Sequence, residues 1–267
     1  MFLHELKQIT DQAQLAQIAR KDSDWEVRRA AVERLTNQAT LSEIVQHEAD
    51  WSVRLAAVEK LDDQAVLIEL ALHDARRNVR CAAVEKVTDQ DVLAQVALRD
   101  SDSWTRRAAI ERLTDQPLLF DIFEKETDGD MRLVAVRRMS DQGSLVRIIE
   151  EETDLELRRA AVERLANQKV LAKLASSSVD WRLREPAIER LDDQSMLIEI
   201  LQASKDTKTR LVASTRLTEV LTDAQRPAAE KPVLDEQERS VIVAASEHDT
   251  IATSGPAPES PGLDTEL

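Results

Sequence analysis

A chain of 267 residues with 42% hydrophobic and 33% charged residues, 3% aromatics and no Tyr has the composition of an aliphatic helical core beneath a charged surface. Of the net charge of −15, residues 219–267 contribute 11 acidic against 3 basic side chains, a net of −8, which leaves −7 for the rest and argues against nucleic acid as a partner. No apolar run approaches the roughly 18 residues of a membrane span, Cys81 has no second cysteine to pair with, and the first residues lack a secretory apolar segment, so a reducing cytoplasm is the expected setting.

Residues 1–11 read as an N-terminal capping helix, because Leu6 and Ile9 align with Val32 and Leu35 of the segment that follows, with Phe2 standing where that segment has an arginine. From residue 12 a 26-residue period sets in. Gln12, Gln38, Gln64, Gln90, Gln116, Gln142, Gln168 and Gln194 keep it without a slip, as do Arg28, Arg54, Arg80, Arg106, Arg132, Arg158, Arg184 and Arg210. Such a period predicts one supersecondary unit stacked eight times over residues 12–219. Within a unit, apolar residues recur at helical spacing twice, as in Leu41, Ile44 and Val45, then Val53, Ala57, Val58 and Leu61, which predicts two short helices. Asp or Asn precedes every repeat glutamine as a predicted N-cap, and Asp24, Asp50, Asp102, Asp128, Asp154, Asp180 and Asp206 precede the second helix; Arg76 alone interrupts that column.

Alanine pairs such as Ala56 and Ala57 in the second helices permit close helix approach. Pro117 lies just inside a first helix, where proline is tolerated, whereas Pro186, well inside a second helix, predicts a kink or a late start. Eight copies of Arg and Gln point to interlayer ladders and not to chemistry, and the glutamines should be buried or half-buried, joining the loops of successive units. Residues 220–267, rich in Pro, Ala, Ser and acids, read as a disordered tail in which Val233–Ser246 is an idle linker or, alternatively, a docking segment.

The run Asp-x-x-Val-Arg-x-Ala-Ala-Val-Glu-Arg-Leu at Asp24–Leu35, and its counterpart at Asp50–Leu61, resembles the second helix of short, bacterial-type HEAT-like repeats over about residues 2–219. The resemblance implies an all-α fold, a right-handed α-solenoid of eight two-helix HEAT-like repeats, with the second helices lining the concave side. Leucine-rich-variant repeats of similar length are the competing family. Solenoids of this kind serve as adaptors and scaffolds, and the expected function is binding of a protein or peptide along that side. The alternative is a groove enzyme or enzyme accessory similar to HEAT-like bilin lyases or DNA glycosylases. The anionic substrates of those proteins match poorly with Glu33, Glu59, Glu85, Glu111, Glu163 and Glu189.

No catalytic constellation, phosphate loop, cofactor motif or metal-ligand spacing is legible, so no enzyme activity, cofactor or metal is expected. His47 and His73 align one unit apart, but Lys21, Arg99 and Lys125 stand at equivalent positions, which suits the carbonyl end of a helix and not a metal. The outward stripe of the second helix, at the positions of Glu26, Arg29 and Glu33, varies from unit to unit and is free to record a partner. Along it, Leu55, Cys81, Trp104, Arg107, Leu133 and Arg159 are the candidate contact residues, with Trp104, Arg107 and Leu133 as the anchor. Trp25, Trp51 and Trp181 fill a neighbouring column and are read as interlayer packing, with an exposed edge continued by Arg77 as the alternative.

Overall fold

The computed structural model describes residues 3–178 and 180–225. Phe2 and the segment Val233–Ser246 of the tail lie outside them. Among the described residues the chain is entirely helical, without a strand. A short α1 (Leu3–Leu6) precedes four helix pairs: α2 (Gln12–Lys21) with α3 (Trp25–Val32), α4 (Gln38–His47) with α5 (Trp51–Lys60), α6 (Gln64–His73) with α7 (Arg77–Val84), and α8 (Gln90–Arg99) with α9 (Ser103–Arg112). Four more follow: α10 (Gln116–Lys125) with α11 (Gly129–Arg138), α12 (Gln142–Glu151) with α13 (Leu155–Arg164), α14 (Gln168–Ser177) with α15 (Trp181–Glu189), and α16 (Gln194–Ala203) with α17 (Thr207–Gln225). Successive pairs pack as a repeat solenoid within two compact units, Met1–Met139 and Ser140–Leu267. In each unit the second helices pack along the stack more extensively than the first helices do, which makes theirs the inner layer.

The short side chains before each helix set the starts. All eight first-helix caps accept a backbone N–H, from Asp11 to Ala13 through Asp193 to Met196. Asp24, Asp50, Asp102, Asp128, Asp154 and Asp180 cap second helices in the same way, Asp206 accepts from Thr209, and Arg76 makes no side-chain cap bond. Each cap contributes about 1 kcal/mol. Pro117 sits in the first turn of α10, as its spacing predicts. The late start expected at Pro186 does not occur, because Asp180 caps α15 at Trp181 and the helix continues through the proline.

The first helices end without glycine. Their C-cap residues Asp22, Glu48, Asp74, Asp100, Glu126 and Glu152 are extended, and each carboxylate accepts the N–H two residues on, as from Asp50 to Glu48 at 2.9 Å and from Arg76 to Asp74 at 2.8 Å. A side chain thereby closes a turn that in other helices needs a left-handed residue. No described residue has a positive φ, and four glycines suffice for the whole chain.

Two apolar columns build the core. The first-helix leucines Leu15, Leu41, Leu67, Leu93, Leu119, Leu145, Leu171 and Leu197 and the second-helix alanines from Ala31 to Ala213 are at most 1% exposed. A methyl group at the alanine column lets adjacent second helices approach closely, which is why the inner layer is the tighter one.

Three polar ladders join the layers. In the first, Arg28 donates to Glu48 at 2.8 Å, Arg54 to Asp74 at 2.8 Å and Arg80 to Asp100 at 2.7 Å, each also reaching a carbonyl at the end of the first helix of its own repeat. The partner is therefore the C-cap carboxylate of the next repeat and not the N-cap aspartate. Arg106 stands further off, 3.5 Å from Glu126, and its buried Nε has no hydrogen bond. In the second ladder Gln64 donates to Lys86 O and accepts from Thr88 N, and Gln12, Gln38 and Gln168 repeat the pattern. These amides join the loops of successive repeats as expected, but Gln38 and Gln194 are exposed. In the third, Lys60, Lys86, Arg112, Arg138, Arg190 and Arg216 each donate to a carbonyl at the end of the preceding second helix, neutralising the negative end of its dipole.

The first ladder makes the fold acid-sensitive. Burial alone would raise the Glu48 carboxyl, but the hydrogen bond from Arg28 and the N–H of Asp50 outweigh it and hold the group below its ordinary value; Asp50 is held low chiefly by Ser52. A depressed carboxylate stabilises the fold above the unfolded-state value and loses that contribution as pH falls through the folded-state value. Stability should therefore begin to fall below about pH 4.5. Glu48→Gln should show a shallower acid dependence when unfolding is followed by circular dichroism from pH 7 to 3.

Candidate interaction surface

The inner layer exposes one ridge per second helix, made by residues four apart: Trp25, Arg29 and Glu33 on α3; Trp51, Leu55 and Glu59 on α5; Arg77, Cys81 and Glu85 on α7. In the first unit, Leu55, Cys81, Arg107 and Leu133 are half-buried on α5, α7, α9 and α11, which pack in that order, and Trp104 stands 64% exposed on α9. These five candidates thus share the layer of the first unit. Arg159 is exposed on α13 in the second unit, where it donates to Glu163 at 2.9 Å.

The surroundings of the candidates differ. The Cys81 Sγ lies 3.2 Å from the Thr105 hydroxyl, and burial pushes its thiol above the ordinary value, so it is a poor nucleophile. Thr105 itself is fully buried where other repeats carry Val27, Val53 and Val79, and its hydroxyl bonds back to Asp102. Arg107 leans along its own helix toward Glu111 at 3.4 Å. Trp104 takes no part in the ladders.

Two expectations need correction. Ser52, at the position of the outward stripe that Glu26 holds one unit earlier, is 8% exposed because its hydroxyl turns inward to bond the cap Asp50. The tryptophan column is not sealed by packing: Trp25, Trp51 and Trp181 are 41%, 37% and 44% exposed. Arg77 reaches Asp102 at 3.5 Å, whereas Lys208 stacks 3.2 Å from the centre of the Trp181 ring.

In the second unit the same layer gathers Glu163, Glu185, Glu189 and Glu219. Burial first, and then repulsion from Glu185, raise the Glu189 carboxyl, with Arg159 opposing. A raised carboxyl costs stability above its folded-state value, and the cost vanishes below the unfolded-state value. Glu189→Gln should raise the melting midpoint at pH 7 by on the order of one degree, small because the group is exposed. The gain should be absent below about pH 4, as scanning calorimetry at the two pH values would show.

Among the described residues no group of His, Cys, Asp and Glu is arranged to hold a metal ion, and no helix is long and apolar enough to cross a membrane. No family model and no curated protein matches the chain. Among solved structures it is similar to a leucine-rich repeat variant with a repetitive structural motif, at a TM-score of 0.57 and 24% identity over 76% of this chain and 81% of that one. It is also similar to YibA of E. coli, at a TM-score of 0.44 and 18% identity over 81% of this chain and 95% of that one. At these identities the likeness to the leucine-rich repeat variant is one of fold, a stack of helical repeats.

Proposed function

We propose that the chain is a non-catalytic scaffold that binds a protein or peptide partner on the inner layer of its second helices, as an adaptor does. The observation that carries this reading is Trp104. It is the most exposed of the four tryptophans, belongs to none of the ladders, and lies on the same helix face as Arg107. A large ring left in water on the layer best packed by the repeat is a cost that a bound partner would offset. Leu55, Cys81 and Leu133 supply an apolar floor beside it within the first unit.

The test is affinity capture from native extract with the intact chain, beside a Trp104→Ala, Leu133→Ala variant shown by circular dichroism to be folded. A partner retained by the parent and lost with the variant supports the surface. A partner retained equally by both removes Trp104 and Leu133 as its anchor.

A further inference from the structure

Along the glutamate column of the inner layer, Glu33 is paired by Arg29 at 2.9 Å and Glu111 by Arg107 at 3.4 Å, each one turn back on its own helix. In the two repeats between them the arginine position is taken by Leu55 and Cys81. Glu59 and Glu85 are therefore exposed carboxylates without an ion pair or hydrogen bond among the described residues. The nearby cations are engaged elsewhere: Lys86 with Glu59 O at 3.0 Å and Asp62 at 3.5 Å, Arg77 with Asp102. Two uncompensated anions in adjoining repeats thus each stand one turn beyond a half-buried apolar side chain, Leu55 and Cys81, while the exposed rings of Trp51 and Trp104 lie at the opposite ends of α5 and α9.

This arrangement suits a cation on an aliphatic stem. The carboxylate takes the charge and the apolar floor takes the methylenes. Adjacent packed helices repeat at about 8–10 Å. A polyproline II segment has three residues per turn and advances about 9 Å in that turn, so side chains at every third residue point the same way at the interval of the layers. We propose, resting on the scaffold reading above, that the partner segment seated on α5, α7 and α9 is basic and extended, with lysine or arginine at every third residue. The chain's own residues 226–267, with nine acidic and three basic side chains and a net of −6, carry the wrong sign to occupy this surface.

The experiment presents the intact chain to a random dodecapeptide display library. In parallel it measures by fluorescence anisotropy the binding of a peptide of four Lys-Pro-Ala repeats. The expected result is enrichment of sequences with Lys or Arg three residues apart. The Lys-Pro-Ala peptide should bind about tenfold more weakly to Glu59→Gln, Glu85→Gln, and less than about twofold more weakly to Glu69→Gln, Glu150→Gln, which removes equal charge from first helices. No binding of that peptide, or equal loss in both double variants, overturns the proposal. Enrichment of apolar or acidic sequences whose binding is lost with Trp104→Ala overturns the basic partner while leaving the scaffold surface standing. No enrichment that depends on Trp104 overturns both.

Discussion

Arg54→Ala is expected to destabilise the first unit by about 3 kcal/mol, the cost of leaving one member of a buried ion pair alone. The guanidinium makes two bonds to Asp74, at 2.8 and 3.0 Å, and two more to Glu48 O and Ala49 O at 3.0 Å. Only 13% of the Arg54 side chain and 6% of that of Asp74 are exposed, so water cannot replace what the alanine removes. Arg106→Ala is the internal comparison. Its pair is longer, its Nε is already unpartnered, and the same truncation should cost about 1 kcal/mol. Because each layer of a repeat stack leans only on its neighbours, the loss should open the first unit ahead of the second and broaden or split the urea transition. Arg54→Lys, which keeps the charge and loses the fork, should fall between the parent and the alanine variant. Equal costs at Arg54 and Arg106 would mean that the carboxylate ladder adds nothing beyond ordinary surface pairing.

The arginine and glutamine columns were legible because one residue type holds each position in every repeat. The carboxylate column that receives the arginines was not. Its members are Asp22, Glu48, Asp74, Asp100, Glu126 and Glu152, then Ser178 and Ser204, and a position filled by three residue types shows no fixed letter although the work it does at the helix end is the same. The arginines farther along the stack bond differently whether or not that charge is present: Arg132 turns to Phe123 O as Arg158 does to Ile149 O, and Arg106 stays 3.6 Å from Asp128 as Arg184 does from Asp206. The third ladder lay inside the recognised motif as Glu-Arg-Leu and Glu-Lys-Leu, but its cations looked like surface charge until the carbonyls they bind were in view. At the candidate surface, the period located the ridge. Which members are buried depends on side-chain bonds that no period encodes: Ser52 turns inward to Asp50, and Cys81 meets Thr105, which sits in a mainly apolar column.

Pro186→Ala should raise stability, against the usual direction for a buried position. The equivalent residue is Ala30, Ala56, Ala82, Ala108 and Ala160 in five other repeats, and α15 accepts the proline in mid-helix without shifting its start. A proline there withholds the N–H that would bond the carbonyl of Arg182 and crowds the preceding turn, a cost of about 3 kcal/mol. Two terms oppose the exchange. Truncating the buried ring to a methyl group removes two carbons, at about 0.8 kcal/mol each, and the unfolded chain gains freedom worth about 0.5 kcal/mol. The balance is about 1 kcal/mol in favour of alanine, a rise of about 3 °C in the melting midpoint for a domain of this size. The rise should appear in the part of the transition assigned to the second unit and leave the Arg54→Ala effect unchanged, because the two sites share no layer. A fall in stability would show instead that α15 has adapted its neighbours to the ring, so that Pro186 acts there as packing and the missing hydrogen bond is made good locally.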